Sequence, residues 1–519
     1  MYSELQADIA IIGGSTGGCA AALAAVKAGK RVILTEETDW IGGQLTSQAV
    51  PPDEHGYIEK FGCTYSYRQF RNKVRAYYRN NFPLTEQARN TAYLNPGNGG
   101  VGKVCHDPRV ALAVLEEMLA PYVHSGRLTV LTMYKIESVD VTNEKVSFAK
   151  VKDLRTGDVI TISAKYFLDA TDCGDVLPLA GVEYRTGAES QKQTNEPHAL
   201  QGNPDPFDMQ AVTHCFAVDY MEGEDFTIER PRDYDFWKKY RVDYWPDNQL
   251  GWYTPHHITH APLKWSLFGE EGGRNLFQYR RIIDKSNFLP GTFTSDITII
   301  NVPQTDYFLG PVFDVPDAGK HLKGAKQLSL SYLYWLQTEA PRPDGGQGYR
   351  GLRLRHDVTG TSDGLAKSVY IRESRRIQAE FTVCEQHVSP SARSSNKAEI
   401  FKDSVGIGLY RIDLHPSTGK RNYIDIDCLP FQIPLGSLIP VRMDNLLPAC
   451  KNIGTTHITN GCYRLHPVEW NIGESAGYLA AYCVEKGVIP RQVRNESTLL
   501  TDFQSYLERE GIELSWPSV

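Results

Sequence analysis

The feature that most constrains this chain is a stretch of about 30 residues near its start. Asp8-Ile9-Ala10-Ile11-Ile12 is a short apolar run and reads as a buried parallel strand. Gly13-Gly14-Ser15-Thr16-Gly17-Gly18 follows at once. An Ala-rich stretch from Cys19 to Ala28 then reads as a helix that Gly29 is placed to end. Arg31-Val32-Ile33-Leu34-Thr35 is a second strand, closing on Glu36 and Glu37. Strand, glycine-rich turn, helix, strand and acid make a βαβ unit whose helix N-terminus faces the pyrophosphate of a dinucleotide. Gly13 permits the tight turn, and Gly18 lets helix and strand pack closely. Glu36, 18 residues after Gly18, sits at the strand tip, where a carboxylate accepts ribose hydroxyl hydrogen bonds. Ser15 stands where G-x-G-x-x-G has its middle glycine, so a slightly altered backbone approach to the pyrophosphate is expected.

A second G-x-G-x-x-G, at Gly346, Gly348 and Gly351, lacks this context. Pro341-Arg342-Pro343-Asp344 precedes it, and the alternating Leu352-Arg353-Leu354-Arg355-His356 follows. It reads as a loop entering a strand. No second nucleotide-binding unit for NAD(P)H is therefore expected.

Asp39-Trp40-Ile41-Gly42-Gly43-Gln44-Leu45-Thr46-Ser47 follows the acid where a nicotinamide domain would run on into further βαβ units. From here the sequence resembles the FAD-dependent oxidoreductases with a glutathione-reductase-type FAD domain. The matching stretches are Gly42 to Gly62, Tyr166 to Gly181, Tyr370 to Ile377 and Asn445 to Gly477. The resemblance implies FAD as cofactor, with Gly42, Gly43, Gln44 and Leu45 running under the flavin. It implies that Ala170, Thr171 and Asp172 pass the adenine end, Asp172 replacing a usual glycine. It also implies a flavin-facing helix that opens at Asn471-Ile472-Gly473-Glu474, rich in small residues and aimed at the pyrimidine side of the ring.

The fold class expected is α/β, a discontinuous Rossmann-type FAD-binding domain with an inserted, mainly β substrate or cap domain. The divisions are 1–188 and 352–490 for the FAD domain, 189–351 for the insert and 491–519 for a helical tail. The insert carries Trp237, Trp245, Trp252 and Trp265, and Thr292 to Ile300 reads partly as a strand. Such aromatic residues pack cores more often than they line pockets. His256, His257 and His260 form H-H-x-x-H, with His256 and His260 on one face if helical, but without a Glu or a third ligand. They read as surface histidines. Asn495-Glu496-Ser497 reads as an incidental glycosylation pattern.

Composition narrows the partners. With 55 Lys and Arg against 62 Asp and Glu, the net charge of −7 argues against a nucleic acid or an anionic membrane. No apolar stretch reaches the roughly 18 residues needed to cross a bilayer. The polar opening Tyr2-Ser3-Glu4 leads straight into the first strand, so no signal peptide and a cytoplasmic location are expected. The ten cysteines are scattered without a CxxC pair, so neither a metal nor disulfides are expected. Cys19 and Cys483 read as small buried hydrophobes.

Flavin chemistry on a C–H bond needs a base, a group to stabilise negative charge and a dry pocket. Three segments offer these groups: Pro51 to His55, Tyr370 to Arg376 read as the start of a helix, and His457 to His466. His466 and His457 rank first as acid/base candidates, Arg372 and Arg464 as anion binders, with His55 beside the flavin loop and His356 below them. The expected function is a dehydrogenase or oxidase in which a small polar metabolite gives hydride to flavin. The alternatives are a monooxygenase using external NAD(P)H and a non-catalytic flavin-binding protein. The electron acceptor, oxygen or another, and self-association as a homo-oligomer stay open.

Overall fold

The computed structural model describes residues 4–517; Tyr2 and Ser3 of the polar opening lie outside the described residues. In chain order, the dinucleotide unit is β1 (Ile9–Ile12), α1 (Thr16–Lys27) and β2 (Val32–Glu36). α2 (Tyr65–Asn81) and α3 (Pro108–His124) follow, then β3 (Leu128–Thr132). An antiparallel meander of β4 (Tyr134–Thr142), β5 (Lys145–Asp153) and β6 (Val159–Ser163) leads into β7 (Tyr166–Asp169). The insert contributes β8 (Phe216–Tyr220), β9 (Arg281–Ile283), β10 (Ile297–Ile300), α4 (Ala318–Thr338) and β11 (Leu352–Leu354). The chain closes with β12 (Leu446–Pro448), α5 (His457–Tyr463), α6 (His466–Lys486), α7 (Pro490–Asn495) and α8 (Ser497–Arg509).

The core is a five-stranded parallel sheet in the order β12-β7-β1-β2-β3. β1, β2, β7 and β12 are buried along their whole length, which is why they read as continuous apolar runs rather than alternating ones. The discontinuity is physical: β12 is paired to β7 although nearly 300 residues separate them in sequence. α1 lies against α6, and the approach demands glycine. A Cβ on Gly473 would stand 2.0 Å from the Gly17 carbonyl oxygen, and one on Gly477 2.4 Å from that of Ala21.

The insert is built on a four-stranded antiparallel sheet, β9-β10-β8-β11, and the 21-residue helix α4 belongs to it as well. It is thus more helical than its sequence suggests. β11 pairs with β8, so the insert runs past residue 351. Trp237, Trp245, Trp252 and Trp265 are buried in its packing. His256 to His260 form an exposed turn rather than a helix, and the His256 ring accepts hydrogen bonds from the Ile258 and Thr259 amides. The tail is helical and docks on α6 through α7 and α8. No helix among the described residues is long and apolar enough to cross a membrane.

Candidate functional site

A cleft of about 660 Å³ opens at the C-terminal ends of β1, β2 and β7, the place where open parallel sheets take ligands. Gly13, Glu36, Glu37, Ala170, Thr171 and Asp172 line it, with His214 and Ile371 toward the insert. Gly13 holds φ +102°, and a Cβ there would stand 2.4 Å from the Ala170 carbonyl carbon. Gly18 has no room either, since its Cβ would meet the Gly13 carbonyl oxygen at 2.1 Å. Ser15 caps α1, its hydroxyl accepting from the Gly18 amide at 3.2 Å. The substitution thus supplies the helix cap in place of a bare backbone approach.

Glu36 accepts from the Gly14 amide at 2.9 Å and from the amide and hydroxyl of Thr38, each at 2.8 Å. Burial pushes its carboxyl up to about 7 despite these bonds. Glu37 turns outward to an ion pair with Lys135. Thr38 was not among the expected site residues, yet it fixes the Glu36 carboxylate. The Gly42 to Leu45 turn folds over the glycine loop: the Thr16 hydroxyl donates to the Gly42 carbonyl at 2.8 Å, and a Cβ on Gly43 would touch Ser15. Leu45 is core. Asp172 is drawn to the fully buried Lys451 at 2.6 Å, which also lies 3.6 Å from Glu469. Glu469 accepts from the Gly17 amide at 3.2 Å, at the N-terminus of α1.

α6, the helix expected to face the flavin, starts at His466, five residues before the expected opening at Asn471. Pro467 sits in its first turn, where a missing N–H costs nothing. Gly473 and Glu474 are therefore mid-helix. Gly473 packs on Gly17, and Glu474 accepts from the Ser66 hydroxyl at 2.6 Å, so neither is at the helix end. Tyr370 to Arg376 is also not helical: it is extended, bridged to Thr213, and ends as a strand pairing with Tyr184–Arg185.

The expected chemical residues separate into two groups. His457 is a strut: Nδ1 meets the Glu373 carboxylate at 2.9 Å, and Nε2 accepts from Arg421 at 3.0 Å. Burial pushes Glu373 up, but the hydrogen bond from His457 and the adjacent Arg376 hold it at about 2. His55 also spends both ring nitrogens, on the Gly62 carbonyl and the Tyr57 amide. Neither ring keeps a nitrogen for substrate.

His466, Arg464 and Arg372 do come together, in a buried polar cluster that the sequence did not reveal. His466 is fully buried, and its Nδ1 accepts from the Asp53 amide at 3.2 Å. Nε2 has no partner. Burial outweighs the interaction of the ring with the Val50 carbonyl and lowers its pKa to about 4, so the ring is neutral at neutral pH. The Asp53 carboxylate meets Arg280 of the insert at 3.1 Å. Arg464 donates to the Tyr370 hydroxyl at 2.9 Å and to the Asp413 carbonyl at 2.9 Å. Gln44, in the turn over the glycine loop, donates to the Arg464 carbonyl at 2.9 Å and so joins the two regions. Arg372 meets Asp306 at 3.0 Å and donates to Asn301 at 3.1 Å. Arg280, Asn301 and Asp306 carry no sequence signal, because only the folding of the insert brings them here.

Buried polar atoms without partners mark both regions. Gln48 lacks a partner at both side-chain atoms, and Gln44 at Oε1. In the polar cluster Arg372 Nε, Arg464 Nε, Asn301 Nδ2 and His466 Nε2 are unmatched. Leaving such atoms bare costs about 1–3 kcal/mol each, so water or a bound molecule is their natural partner. The glycine cradle and the bare amides of the 42–48 turn fit a flavin dinucleotide.

Residues 8–507 match the family described as "FAD dependent oxidoreductase". A comparison with curated protein sequences finds no match. Among solved structures, a geranylgeranyl bacteriochlorophyll reductase-like protein from Thermoplasma acidophilum is 10% identical, with 98% of this chain and 85% of that one covered and a TM-score of 0.33. L-proline dehydrogenase from P. horikoshii is 16% identical over 37% of this chain and 26% of that one, TM-score 0.19. Glycerol-3-phosphate dehydrogenase from Bacillus halodurans, complexed with FAD, is 16% identical over 42% and 40%, TM-score 0.23. This chain thus spans about a quarter of the proline dehydrogenase and two fifths of the glycerol-3-phosphate dehydrogenase.

Proposed function

Because the chain belongs to the FAD-dependent oxidoreductase family, and so is an enzyme that uses FAD, we propose that it is a dehydrogenase or oxidase of a small polar metabolite. FAD, when bound, supplies the two-electron acceptor. The observation that carries the proposal is the buried cluster of unmatched donors joined through Gln44 to the turn over the glycine loop.

The residues divide the work. Gly13 to Gly18 and Glu36 hold the dinucleotide, and Gln44 and Gln48 face the ring with their free amide atoms. His466 Nε2 donates a hydrogen bond to the reacting oxygen or nitrogen of the substrate. Asp53 takes the substrate proton. Arg280 fixes its carboxylate in place at 3.1 Å.

The test is anaerobic bleaching of the purified holoenzyme by a panel of alcohols, amines, amino acids, hydroxy acids and sugars, without NAD(P)H. At least one class should reduce the flavin completely. Bleaching by NAD(P)H alone would replace the proposal with a monooxygenase, and bleaching by nothing would leave a flavin-binding protein without redox work.

A further inference from the structure

We propose that the insert forms a second wall of the FAD site and covers the adenosine end of the cofactor through the first turns of α4. The cleft at the ends of β1, β2 and β7 has two sides. Gly13, Glu36 and Thr171 line it from the sheet, and the turn over the glycine loop, residues 42–48, lies outside its lining. The end of the dinucleotide that it receives is therefore the one held by the ribose-binding acid, not the ring. The other side comes from the insert. Val312 and Phe313 precede α4, Leu322 and Lys326 lie in its first three turns, and all four line the cleft.

Both sides leave apolar side chains uncovered. Leu322 is 38% exposed, and Leu154, which follows β5 in the FAD domain, is 43% exposed; both line the cleft. Met133 lines it beside Leu154 and holds φ +63°, uncommon for a residue other than glycine. Its amide donates to the Thr38 carbonyl at 3.0 Å, and its carbonyl accepts from the Leu154 amide at 2.8 Å. The apolar side chains of the FAD domain are thus tied to Thr38, the residue that fixes Glu36. On the insert side α4 is already held in place. The Ser329 hydroxyl donates to the His214 carbonyl at 2.7 Å, the His321 ring meets the Tyr307 hydroxyl at 2.8 Å, and Lys326 pairs with Asp363 at 2.8 Å. Ala325, Leu328 and Tyr332 are buried in the insert, which leaves the face of Leu322 and Lys326, one turn apart, to the cleft. A flat heterocycle with apolar faces covers such side chains, and a sugar or a phosphate does not.

The experiment follows FAD release from diluted holoenzyme by the recovery of FAD fluorescence, and ADP binding to the apoprotein by calorimetry. Leu322→Ala keeps a strong helix former and removes the covering surface. It should weaken FAD binding by about tenfold, the worth of most of one covered leucine. ADP should weaken by the same factor, since it carries the adenosine and diphosphate without the flavin. Leu322→Met should return both affinities to the parental values. The side chain is exposed in the apoprotein, so Leu322→Ala apoprotein should melt at the parental temperature, and the loss should appear only with ligand bound. Leu154→Ala, from the FAD domain, should act in the same way and decides the matter if Leu322→Ala fails to fold. Parental FAD affinity in Leu322→Ala, a loss for FAD without one for ADP, or no binding of ADP by the parent would each overturn the assignment. No metabolite enters these measurements, so the redox proposal can fail and leave this inference standing.

Discussion

Replacing Glu36 with Gln keeps the shape of the side chain and removes its charge. The carboxylate now accepts on both oxygens: Gly14 on one, Thr38 twice on the other. An amide can accept on one end only, so its NH₂ must face either the Gly14 amide or the Thr38 pair. The ribose hydroxyls that Glu36 is proposed to hold lose their charged acceptor as well. Charge-assisted hydrogen bonds contribute about 1.5–3 kcal/mol, so FAD should bind about ten- to a hundredfold more weakly. The apoprotein should respond in the opposite direction. The folded carboxyl titrates at about 7 against an ordinary 4.5. Below the unfolded value both states are protonated; as pH rises toward 7 the unfolded chain ionises first, and folded stability falls. That shift amounts to about 3 kcal/mol by pH 8, less what the lost hydrogen bonds return. Glu36→Gln apoprotein should therefore unfold at a temperature equal to or above the parent's at pH 8. FAD titration by fluorescence quenching at pH 8 and pH 5.5 provides the assay, with calorimetry of the apoprotein. The affinity gap should narrow at pH 5.5, where the parent carboxyl is protonated. A variant that binds FAD as tightly as the parent at pH 8, or a gap indifferent to pH, would refute the reasoning.

Gly473→Ala forces a methyl to 2.0 Å from the Gly17 carbonyl oxygen, so α6 must move off α1; the variant should lose 3 kcal/mol or more, at the upper end of about 1–3 for overpacking, and release FAD on gel filtration. Lys451→Met leaves Asp172 and Glu469 without their cation, and should cost about 3–5 kcal/mol in denaturant unfolding. His466 titrates at about 4, so the rate of flavin reduction should show no limb near pH 6.5, and His466→Asn should slow reduction at all pH values alike; a parental limb near neutrality that the variant loses would restore the base role. His457→Gln should lower thermal stability through loss of the Glu373 bridge while FAD-replete protein reduces at a near-parental rate.

What the sequence disclosed follows the range of the interactions involved. The βαβ unit is set by residues within one turn or one strand of each other, and the glycines of that turn have only one use. The helix at His466 was misplaced because His-Pro reads as loop: a residue before proline avoids the α region, except where a helix begins. Tyr370 to Arg376 suggested a helix by its charges. Each of those charges is instead tied to a partner far off in sequence, Arg372 to Asp306 and Arg375 to Asp314. The buried polar cluster was half legible. Arg372, Arg464 and His466 were read from neighbouring motifs, but Arg280, Asn301 and Asp306 have no local pattern and acquire meaning only across the insert.

The glycine contact between α1 and α6 also sets an order of events in time. Gly17 leaves the ribosome well before Gly473, which closes over it and follows 473 − 17 = 456 residues later. At synthesis rates of about 5–20 residues per second, the two are separated by roughly half a minute to a minute and a half. Through that interval β7 has no β12 beside it, and the face of α1 that α6 will cover stays bare. FAD loading is then a late step, completed only after Gly473 has emerged, and contacts this distant in sequence make it slow. Cells that overproduce the chain should accumulate an unloaded form that needs protection by chaperones, and riboflavin supply during expression should raise the yield of folded protein and not merely its colour.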